Sequence, residues 1–223
     1  MTWQNALIIG ASGGIGSALV SALDARGAAV MGLSRGADGL DLTDEAAVER
    51  VIGALDTRFD LLVVATGALE INAAKPEKSL KQLTAQSMLD QFALNAIGPA
   101  LVMRHAARLL VRDRPAHIAV LSARVGSIGD NRLGGWYSYR AAKAAVNQIV
   151  RGASIELARS HRHLACVALH PGTVQTAFTE KYVERHASVP ASRAAENLLD
   201  VLGKMSPAHT GGFYDYSGAE VPW

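Results

Sequence analysis

The sequence near the start of the chain reads Ala6-Leu7-Ile8-Ile9-Gly10-Ala11-Ser12-Gly13-Gly14-Ile15-Gly16. Its first four residues form an apolar run without polar alternation, which is typical of a strand buried on both faces of a parallel sheet. Glycines then allow a tight turn, and a helical pattern begins at Gly14. This order favours a turn whose backbone N–H groups bind the pyrophosphate of a dinucleotide at the helix N-terminus. A plain glycine-rich turn is the alternative.

Short apolar runs and longer helical patterns alternate along the rest of the chain. Further strands are predicted at residues 28–33, 61–64, 117–121, 164–169 and 212–216. Helices are predicted at residues 14–26, from an N-cap at Thr43 to residue 56, and at 86–112, 137–160 and 191–202. Such alternation implies parallel strands joined by right-handed crossovers. The sequence therefore predicts an α/β fold with a three-layer, doubly wound parallel sheet, the Rossmann fold, in a single domain over residues 1–223.

Three loop-rich segments interrupt this pattern, at residues 69–81, 126–136 and 175–190. The last two follow the carboxyl end of a predicted strand, which is where ligands bind in doubly wound sheets. Trp136 ends the second loop and Tyr137 follows it, and these two residues either line a substrate pocket or simply pack.

The composition indicates one globular domain. The 223 residues are 49% hydrophobic and 19% charged with a formal net charge of +2, so neither disorder nor attraction to nucleic acid is expected. The single cysteine, Cys166, excludes an internal disulfide bond. The first residues lack the pattern of a signal peptide, and no apolar run reaches the roughly 18 residues that a membrane span needs. We therefore expect a cytoplasmic protein without a membrane span.

Ser34 and Arg35 follow the second predicted strand, where the adenosine half of a dinucleotide would lie. A carboxylate at this place would favour NAD by accepting hydrogen bonds from the ribose 2′-hydroxyl group, whereas an arginine suits the 2′-phosphate of NADP. An ordinary solvated loop cation is the alternative for Arg35. Asp41 either reaches the adenine amino group or caps its own loop.

Tyr139 and Lys143 are four residues apart in the helical pattern over 137–160. This spacing stacks the two side chains on one helix face. A tyrosine with its ordinary pKa of about 10 is a poor acid–base group near neutral pH, and a neighbouring ammonium group is expected to lower that pKa. The pair can then supply or remove a proton while a hydride moves. An exposed helix pair without a function is the alternative.

Four motifs occur in the order found in the short-chain dehydrogenase/reductase family, which the chain resembles over essentially its whole length. They are the glycine turn over 10–16, Asn95 within Leu94-Asn95-Ala96-Ile97-Gly98, the Tyr139/Lys143 pair, and His170-Pro171-Gly172-Thr173-Val174-Gln175-Thr176. Within the family the chain is most similar to the C-factor-like and sniffer-like carbonyl reductases. That closer resemblance is carried by residues 122–131, 134–139 and 213–223.

The resemblance implies a role for each motif. Tyr139 would be the general acid in reduction, and Lys143 would bind the ribose hydroxyl groups of the nicotinamide half and lower the pKa of Tyr139. Asn95 would hold a water molecule of a proton relay through its helix backbone. Residues 171–176 would cover the nicotinamide, with Thr176 on its carboxamide.

The cofactor is expected to contact residues from these motifs and from the ends of the second and third predicted strands. They are Gly10, Ser12, Gly13, Gly14, Ile15, Gly16, Ser34, Arg35, Asp41, Leu42, Ala65, Thr66, Gly67, Tyr139, Lys143, Pro171, Gly172, Thr173, Val174 and Thr176. NADP(H) is the expected cofactor, with NAD(H) as the second choice.

One departure from the family pattern concerns catalysis. Aligned through Gly126, the position of the family's catalytic serine is Ala123, and Ser122 directly precedes it. Alternation along a strand would point Ser122 to the opposite face. Either Ser122 or Ser127, which lies in a glycine-flanked loop, is expected to supply the missing hydroxyl group, and Ser122 is ranked first.

Two further groups of residues are given structural interpretations. His161 and His163 have no third ligand nearby in sequence, so no metal site is expected. Arg104, Arg108 and Arg112 form a stripe at helical spacing, which is typical of a solvated helix face rather than of a nucleic-acid contact.

The leading hypothesis is therefore an NADP(H)-dependent oxidoreductase that transfers a hydride between the nicotinamide and a small-molecule carbonyl or alcohol substrate. Its catalytic residues would be Tyr139, Lys143, Asn95 and Ser122. A dinucleotide-binding signalling protein with weak or no catalysis is the alternative, and Ala123 favours it. The family resemblance implies a homodimer or homotetramer built on the helices over 86–112 and 137–160.

Overall fold

A parallel sheet forms the centre of the protein. The computed structural model describes residues 3–176 and 188–223. Its main strands are β1 (Asn5–Ile9), β2 (Ala29–Leu33), β3 (Leu61–Val64), β4 (Ala116–Leu121) and β5 (Leu164–His170); β6 (Val174–Gln175) and β7 (Val189–Pro190) form a separate parallel pair, and β8 (Phe213–Asp215) follows. The six-stranded sheet has the order β2-β1-β3-β4-β5-β8, and every neighbouring pair is parallel.

Helices cover both faces of this sheet. They are α1 (Gly14–Ala25), α2 (Arg35–Asp38), α3 (Glu45–Gly53), α4 (Ala85–Phe92), α5 (Gly98–Met103), α6 (Ala106–Leu109), α7 (Tyr137–Ala158) and α8 (Ala191–Leu202). Helices α1 and α8 pack together on one face, and apolar residues of α3, α5 and α7 cover the other. The predicted three-layer, doubly wound Rossmann fold is confirmed.

The strands read as continuous apolar runs because both of their faces are buried. Along β1, Leu7 and Ile9 join the core under α3, α5 and α7, whereas Ala6 and Ile8 join the core under α1 and α8. Strand β3 has the predicted bounds, and all four of its residues are buried. Burial on both faces therefore fixes which backbone segments form the central strands.

The single helix predicted over 86–112 is wrong, because this segment is divided into α4, a π-helical turn (Ala93–Ile97), α5 and α6. Pro99 provides a physical reason. It has no N–H group to donate to the carbonyl of Asn95, four residues earlier, so a regular α-helix cannot continue through this point. A wider turn of this type is often found at functional sites.

Two local predictions are also corrected. The N-cap before α3 is Asp44 and not Thr43, since the Asp44 side chain accepts a hydrogen bond from the N–H of Ala46. The loop over 69–81 also lies beyond the carboxyl end of a strand, β3, so it belongs to the ligand-binding edge of the sheet. Most of the loop predicted over 175–190 lies outside the described residues.

Within the described part of the chain, no helix combines the length and apolar character needed to cross a membrane.

Candidate active site

The glycine turn joins the end of β1 to the start of α1. The N–H groups of Gly10 and Ala11 donate to the carbonyl of Leu33, at 2.8 and 3.1 Å, which ties the turn to the end of β2. Gly13 is the N-cap of α1 and offers no side-chain cap, so the first N–H groups of the helix have no partner within it. Ser12, Gly13 and Gly14 are exposed at the rim, and Ile15 is half-buried.

Close packing around the turn explains why two of its positions are glycine. A Cβ atom at Gly16 would collide with the carbonyl oxygen of Gly10. A Cβ atom at Gly14 would lie 2.5 Å from Cγ2 of Thr176, which shows that the predicted nicotinamide segment lies directly against the glycine turn. The predicted parts of one dinucleotide site are therefore adjacent in space, and the narrow backbone surface fits a pyrophosphate.

At the end of β2, Ser34 caps the short helix α2. Its Oγ accepts a hydrogen bond from Ala37, and its N–H donates to Asp38 at 2.7 Å. Arg35 is exposed next to this cap. Oδ1 of Asp41 accepts from the N–H and the hydroxyl group of Thr43, at 2.9 and 2.7 Å, which is the loop-capping arrangement. These hydrogen bonds lower the pKa of Asp41, and the charge of Arg35 adds to the effect.

The predicted contact residues after β2 and β3 differ in exposure. The side chain of Leu42 is buried and packs against Gly98. Ala65 continues the line of β3 by donating its N–H to the carbonyl of Ile9. Oγ1 of Thr66 is shielded from solvent and has no hydrogen-bond partner among the described residues. A buried hydroxyl group without a partner at this edge is available for a polar ligand.

Tyr139 and Lys143 both lie on the buried side of the first turns of α7. Tyr139 is 7% exposed and Lys143 is 3% exposed. The Nζ atom of Lys143 donates a hydrogen bond of 3.0 Å to the carbonyl of Leu121, at the end of β4, and lies 5.7 Å from the centroid of the Tyr139 ring. The interpretation of this pair as exposed helix residues is therefore excluded.

Burial shifts the pKa of both groups. It raises the pKa of Tyr139, and it lowers the pKa of Lys143 to about 8. The expected lowering of the Tyr139 pKa by Lys143 is wrong, because desolvation of the phenolate raises this pKa instead. A phenol that remains protonated is suited to act as an acid.

Asn95 lies at the centre of the π-helical turn and is fully buried. Its Oδ1 accepts from the N–H of Ala68 at 3.2 Å, and its Nδ2 donates to the carbonyl of Ala68 at 2.9 Å and to Oε1 of Gln91 at 2.7 Å. Gln91 in turn donates to the carbonyl of Leu69 at 2.9 Å. The Asn95 side chain therefore holds the segment after β3, and it lies next to Gly67.

The two candidate serines differ in their surroundings. Oγ of Ser122 is buried and has no hydrogen-bond partner within the described chain. Oγ of Ser127 is also buried but accepts a hydrogen bond of 3.0 Å from the N–H of Asp130. Ala123 lies between β4 and a short 3₁₀ turn over Arg124–Gly126. Ser122 therefore has the less occupied hydroxyl group of the two.

The segment after β5 covers the same edge of the sheet. Pro171, Gly172 and Thr173 are half-buried, and Val174 is buried in β6. The ring of Tyr216 packs against Gly172, where an added Cβ atom would lie 2.9 Å from Cδ1 of the ring. This aromatic contact from the segment after β8 holds the segment close to the sheet.

The residues given structural interpretations from the sequence are engaged in structural contacts. Arg104 pairs with Glu45 and Glu49, and Arg108 donates to the carbonyls of Ile52 and Leu55. Within residues 3–176 and 188–223, no group of three or more His, Cys, Asp and Glu side chains could hold a metal ion.

Glu77, which lies in the loop after β3, is a residue of the site that no sequence pattern indicates. This carboxylate is 4% exposed and accepts hydrogen bonds from the N–H of Ser138, at 3.3 Å, and from the Ser138 hydroxyl group. The sequence around it carries no signal of this contact, because Ser138 is 61 residues further along the chain.

Comparison with known proteins agrees with this arrangement. The model of the short chain dehydrogenase family matches residues 38–187. The C-signal protein of Myxococcus xanthus is 37% identical over 136 residues, which are 61% of this chain and 78% of that protein.

Solved structures have the same fold. A short-chain dehydrogenase/reductase from Burkholderia multivorans with bound NADP matches with a TM-score of 0.79 and 25% identity, over 99% of this chain and 100% of that one. Carbonyl reductase Sniffer of D. melanogaster matches with a TM-score of 0.79 and 22% identity, over 99% of each chain.

The half-buried side chain of His170, at the end of β5, predicts a pH effect on stability. Its Nδ1 is shielded and lacks a partner among the described residues, and burial lowers the pKa of the ring to about 4. In the unfolded chain the His170 ring takes up a proton as the pH falls through about 6.5, whereas in the folded protein it does so only near pH 4. The contribution of the neutral ring to the unfolding free energy is therefore fully present above about pH 6.5 and is lost as the pH falls towards 4. Between these values wild-type protein should lose about 3 kcal/mol more unfolding free energy than His170→Gln.

Urea unfolding of both proteins at several pH values measures this difference. Curves of unfolding free energy against pH that remain parallel would show that His170 is as easily protonated in the folded protein as in the unfolded chain.

Proposed function

Because the chain belongs to the short-chain dehydrogenase family, we propose that it is an NADP(H)-dependent oxidoreductase that transfers a hydride between the nicotinamide and a carbonyl or alcohol substrate. Tyr139 is the general acid in reduction and the general base in oxidation, and Lys143 is its partner. The family membership rests on the match over residues 38–187.

The observation that carries this proposal is the buried pair on α7. Lys143 is fixed by its hydrogen bond to the carbonyl of Leu121, and Tyr139 lies beside it at the carboxyl edge of the sheet. The glycine turn and Thr176 meet at the same edge. A proton donor and a dinucleotide-binding turn at one edge are the components that carbonyl reduction requires.

The cofactor preference is supported by the surface beside the glycine turn. Arg35 is exposed there and can bind a 2′-phosphate, whereas Asp38 is occupied by the N–H of Ser34. The related protein from Burkholderia multivorans binds NADP. The residues that would hold the pyrophosphate are those of the glycine turn, and Thr66 and Thr176 lie beside them. NADPH, when bound, supplies the hydride.

Side chains of the protein itself donate and accept the proton. In reduction, the phenol of Tyr139 donates its proton to the substrate oxygen as that oxygen gains negative charge, and in oxidation the phenolate takes the proton back. The raised pKa keeps the phenol protonated before reaction. Lys143 presents a positive charge beside the ring, which stabilises the phenolate that forms. Asn95 would assist by binding a water molecule at its backbone carbonyl. In a regular helix the residue four positions later donates an N–H to such a carbonyl, and Pro99 has no N–H group to donate.

Ser122 is the proposed donor to the substrate oxygen in place of the family serine. Its hydroxyl group is buried without a partner in the described chain, next to Ala123. Such a group can donate to a substrate without first breaking a hydrogen bond within the protein.

A signalling protein with weak catalysis is the second candidate, and Ala123 together with the C-signal relative favours it. The burial of Tyr139 and Lys143 argues for catalysis, because a buried ammonium group costs free energy that a purely structural pair would not need. For assembly, we propose a homodimer or homotetramer through α4, the π-helical turn and α7, where the exposed apolar side chains Leu89, Ile97 and Ile155 lie.

Replacing Tyr139 by Phe should lower the turnover of NADPH with carbonyl substrates by about 10²–10⁴-fold, because the positioned proton donor is lost. NADPH affinity, measured by fluorescence titration, should change by no more than about twofold. Tyr214→Phe is the matched control, since this half-buried tyrosine lies in β8. Turnover of Tyr139→Phe close to that of Tyr214→Phe would remove Tyr139 from the mechanism.

Replacing Arg35 by Asp should change the cofactor preference from NADPH to NADH. Wild-type protein should bind NADPH at least about tenfold more tightly than NADH, since a hydrogen-bonded charge pair contributes 1.5 kcal/mol or more. The variant should lose this preference, whereas Arg58→Asp, which changes another exposed arginine, should keep it. Equal affinity of the wild-type protein for both cofactors would contradict the assignment.

Replacing Ser122 by Ala should lower turnover by about 10²-fold, because the loss of one hydrogen-bond donor to a developing oxyanion has an effect of this size in other enzymes. Ser127→Ala should retain most of the activity, because the Ser127 hydroxyl group already serves Asp130. A loss confined to Ser127→Ala would transfer the role to Ser127. Full activity of both variants would show that neither hydroxyl group replaces the family serine.

A further inference from the structure

Glu77 is a buried carboxylate that the proposed mechanism does not use. No Lys, Arg or His side chain of residues 3–176 and 188–223 forms an ion pair with it. A buried charge without a counter-ion requires other polar partners, because removing the charged group from water would otherwise cost roughly several kcal/mol. The hydrogen bonds that Glu77 accepts therefore show what this carboxylate stabilises.

All of these hydrogen bonds come from the N-cap residue and the first turn of α7. The N–H and hydroxyl groups of Ser138 donate to the carboxylate, and the N–H of Trp136 donates to the backbone carbonyl of Glu77 at 2.6 Å. Trp136 is the N-cap residue, but it has a left-handed backbone with φ of 51° and no side-chain cap. The usual capping by a local Ser, Thr, Asp or Asn side chain is thus absent, and Glu77 supplies it from a distant loop.

The electrostatics favour this arrangement. Helix α7 has 22 residues, and its positive end faces the carboxylate. The first N–H groups of a helix have no partner within it, and a negatively charged acceptor satisfies them better than a neutral one. The carboxylate therefore fixes where the first turn of α7 begins.

Tyr139 directly follows Ser138, so this contact acts on the proposed acid. Glu77, Ser138 and Tyr139 line one small cavity beneath the loop after β3, together with Leu69 and Gln91. Gln91 is bound to Asn95, which braces the same loop. The loop that holds Glu77 is thus tied to α4 and to the first turn of α7.

We propose that Glu77 is a positioning residue that holds the first turn of α7, and with it the hydroxyl group of Tyr139, in the place where the proton is transferred. The inference rests on the proposed function, since it assigns Glu77 to the same reaction. A misplacement of the acid by about 1 Å can cost 10²-fold in rate. Removing the carboxylate should therefore lower kcat more than it affects cofactor binding.

The principal variant is Glu77→Gln, which keeps the size of the side chain. Its amide can accept through one oxygen only and presents N–H groups to the second donor, and the negative charge is lost. The matched control is Asp60→Asn. Asp60 is also 4% exposed and accepts from the N–H groups of Gln4 and Asn5, at the opposite edge of the sheet.

Both variants should lower the melting temperature. Glu77→Gln should lower kcat for NADPH-dependent reduction by about 10-fold to 10²-fold, with NADPH affinity changed by no more than about twofold. Asp60→Asn should leave kcat within about twofold of wild type. Equal kcat values for folded Glu77→Gln and wild type, or an equal loss in Asp60→Asn, would overturn the positioning role.

Ser138→Ala tests the same contact from the other side and applies even where Glu77→Gln does not fold. It should also lower kcat. The variant with both substitutions should be no slower than the slower of the two single variants, because the two residues act as a unit. Normal kcat in Ser138→Ala, or losses that multiply in the double variant, would contradict the inference.

Hydrogen exchange separates this inference from the proposed function. If wild-type protein oxidises NADPH with none of a panel of aldehydes, ketones and quinones, the proposed function fails. The anchoring of α7 is then judged on exchange alone. Amides 138–142 should exchange at least about tenfold faster in Glu77→Gln than in Asp60→Asn. Equal exchange in the two variants would overturn the anchoring itself.

Discussion

The buried ammonium group of Lys143 is the constraint on which the arrangement of the site depends. A charge at this depth is tolerated only with polar partners, and the carbonyl of Leu121 at the end of β4 provides one at 3.0 Å. This hydrogen bond joins α7 to the carboxyl edge of the sheet. Tyr139, one turn earlier on the same helix face, therefore lies at that edge together with the glycine turn and Thr176.

Burial also determines which protonation states of Tyr139 and Lys143 are favoured. Desolvation raises the pKa of Tyr139 and lowers that of Lys143 to about 8, so both shifts favour neutral groups. In the proposed mechanism, the phenol therefore holds its proton until negative charge develops on a substrate oxygen. The positive charge of Lys143 would then stabilise the phenolate, and a bound oxidised nicotinamide would add to this effect.

The sequence predicts the sheet well because strands buried on both faces carry their own signal. Leu61–Val64 is an uninterrupted apolar run and forms β3 with those bounds. The helix over 86–112 could not be predicted correctly, because the π-helical turn depends on Pro99 together with the tertiary contact of Asn95 to Ala68. Glu77 could not be found at all, since its partner Ser138 is brought to it only by the fold. Tertiary contacts without a local pattern are thus the part of the site that the sequence does not reveal.

The pH dependence of alcohol oxidation in wild-type protein and in Lys143→Met tests the central claim most directly, with urea unfolding of both proteins measured to establish that the variant is folded. If the ammonium group of Lys143 stabilises the Tyr139 phenolate, the apparent pKa of the rising limb should move upward by about one unit or more in the variant, and kcat should fall. The same apparent pKa in both proteins would contradict the account, because Lys143 would then have no influence on the proton that Tyr139 transfers.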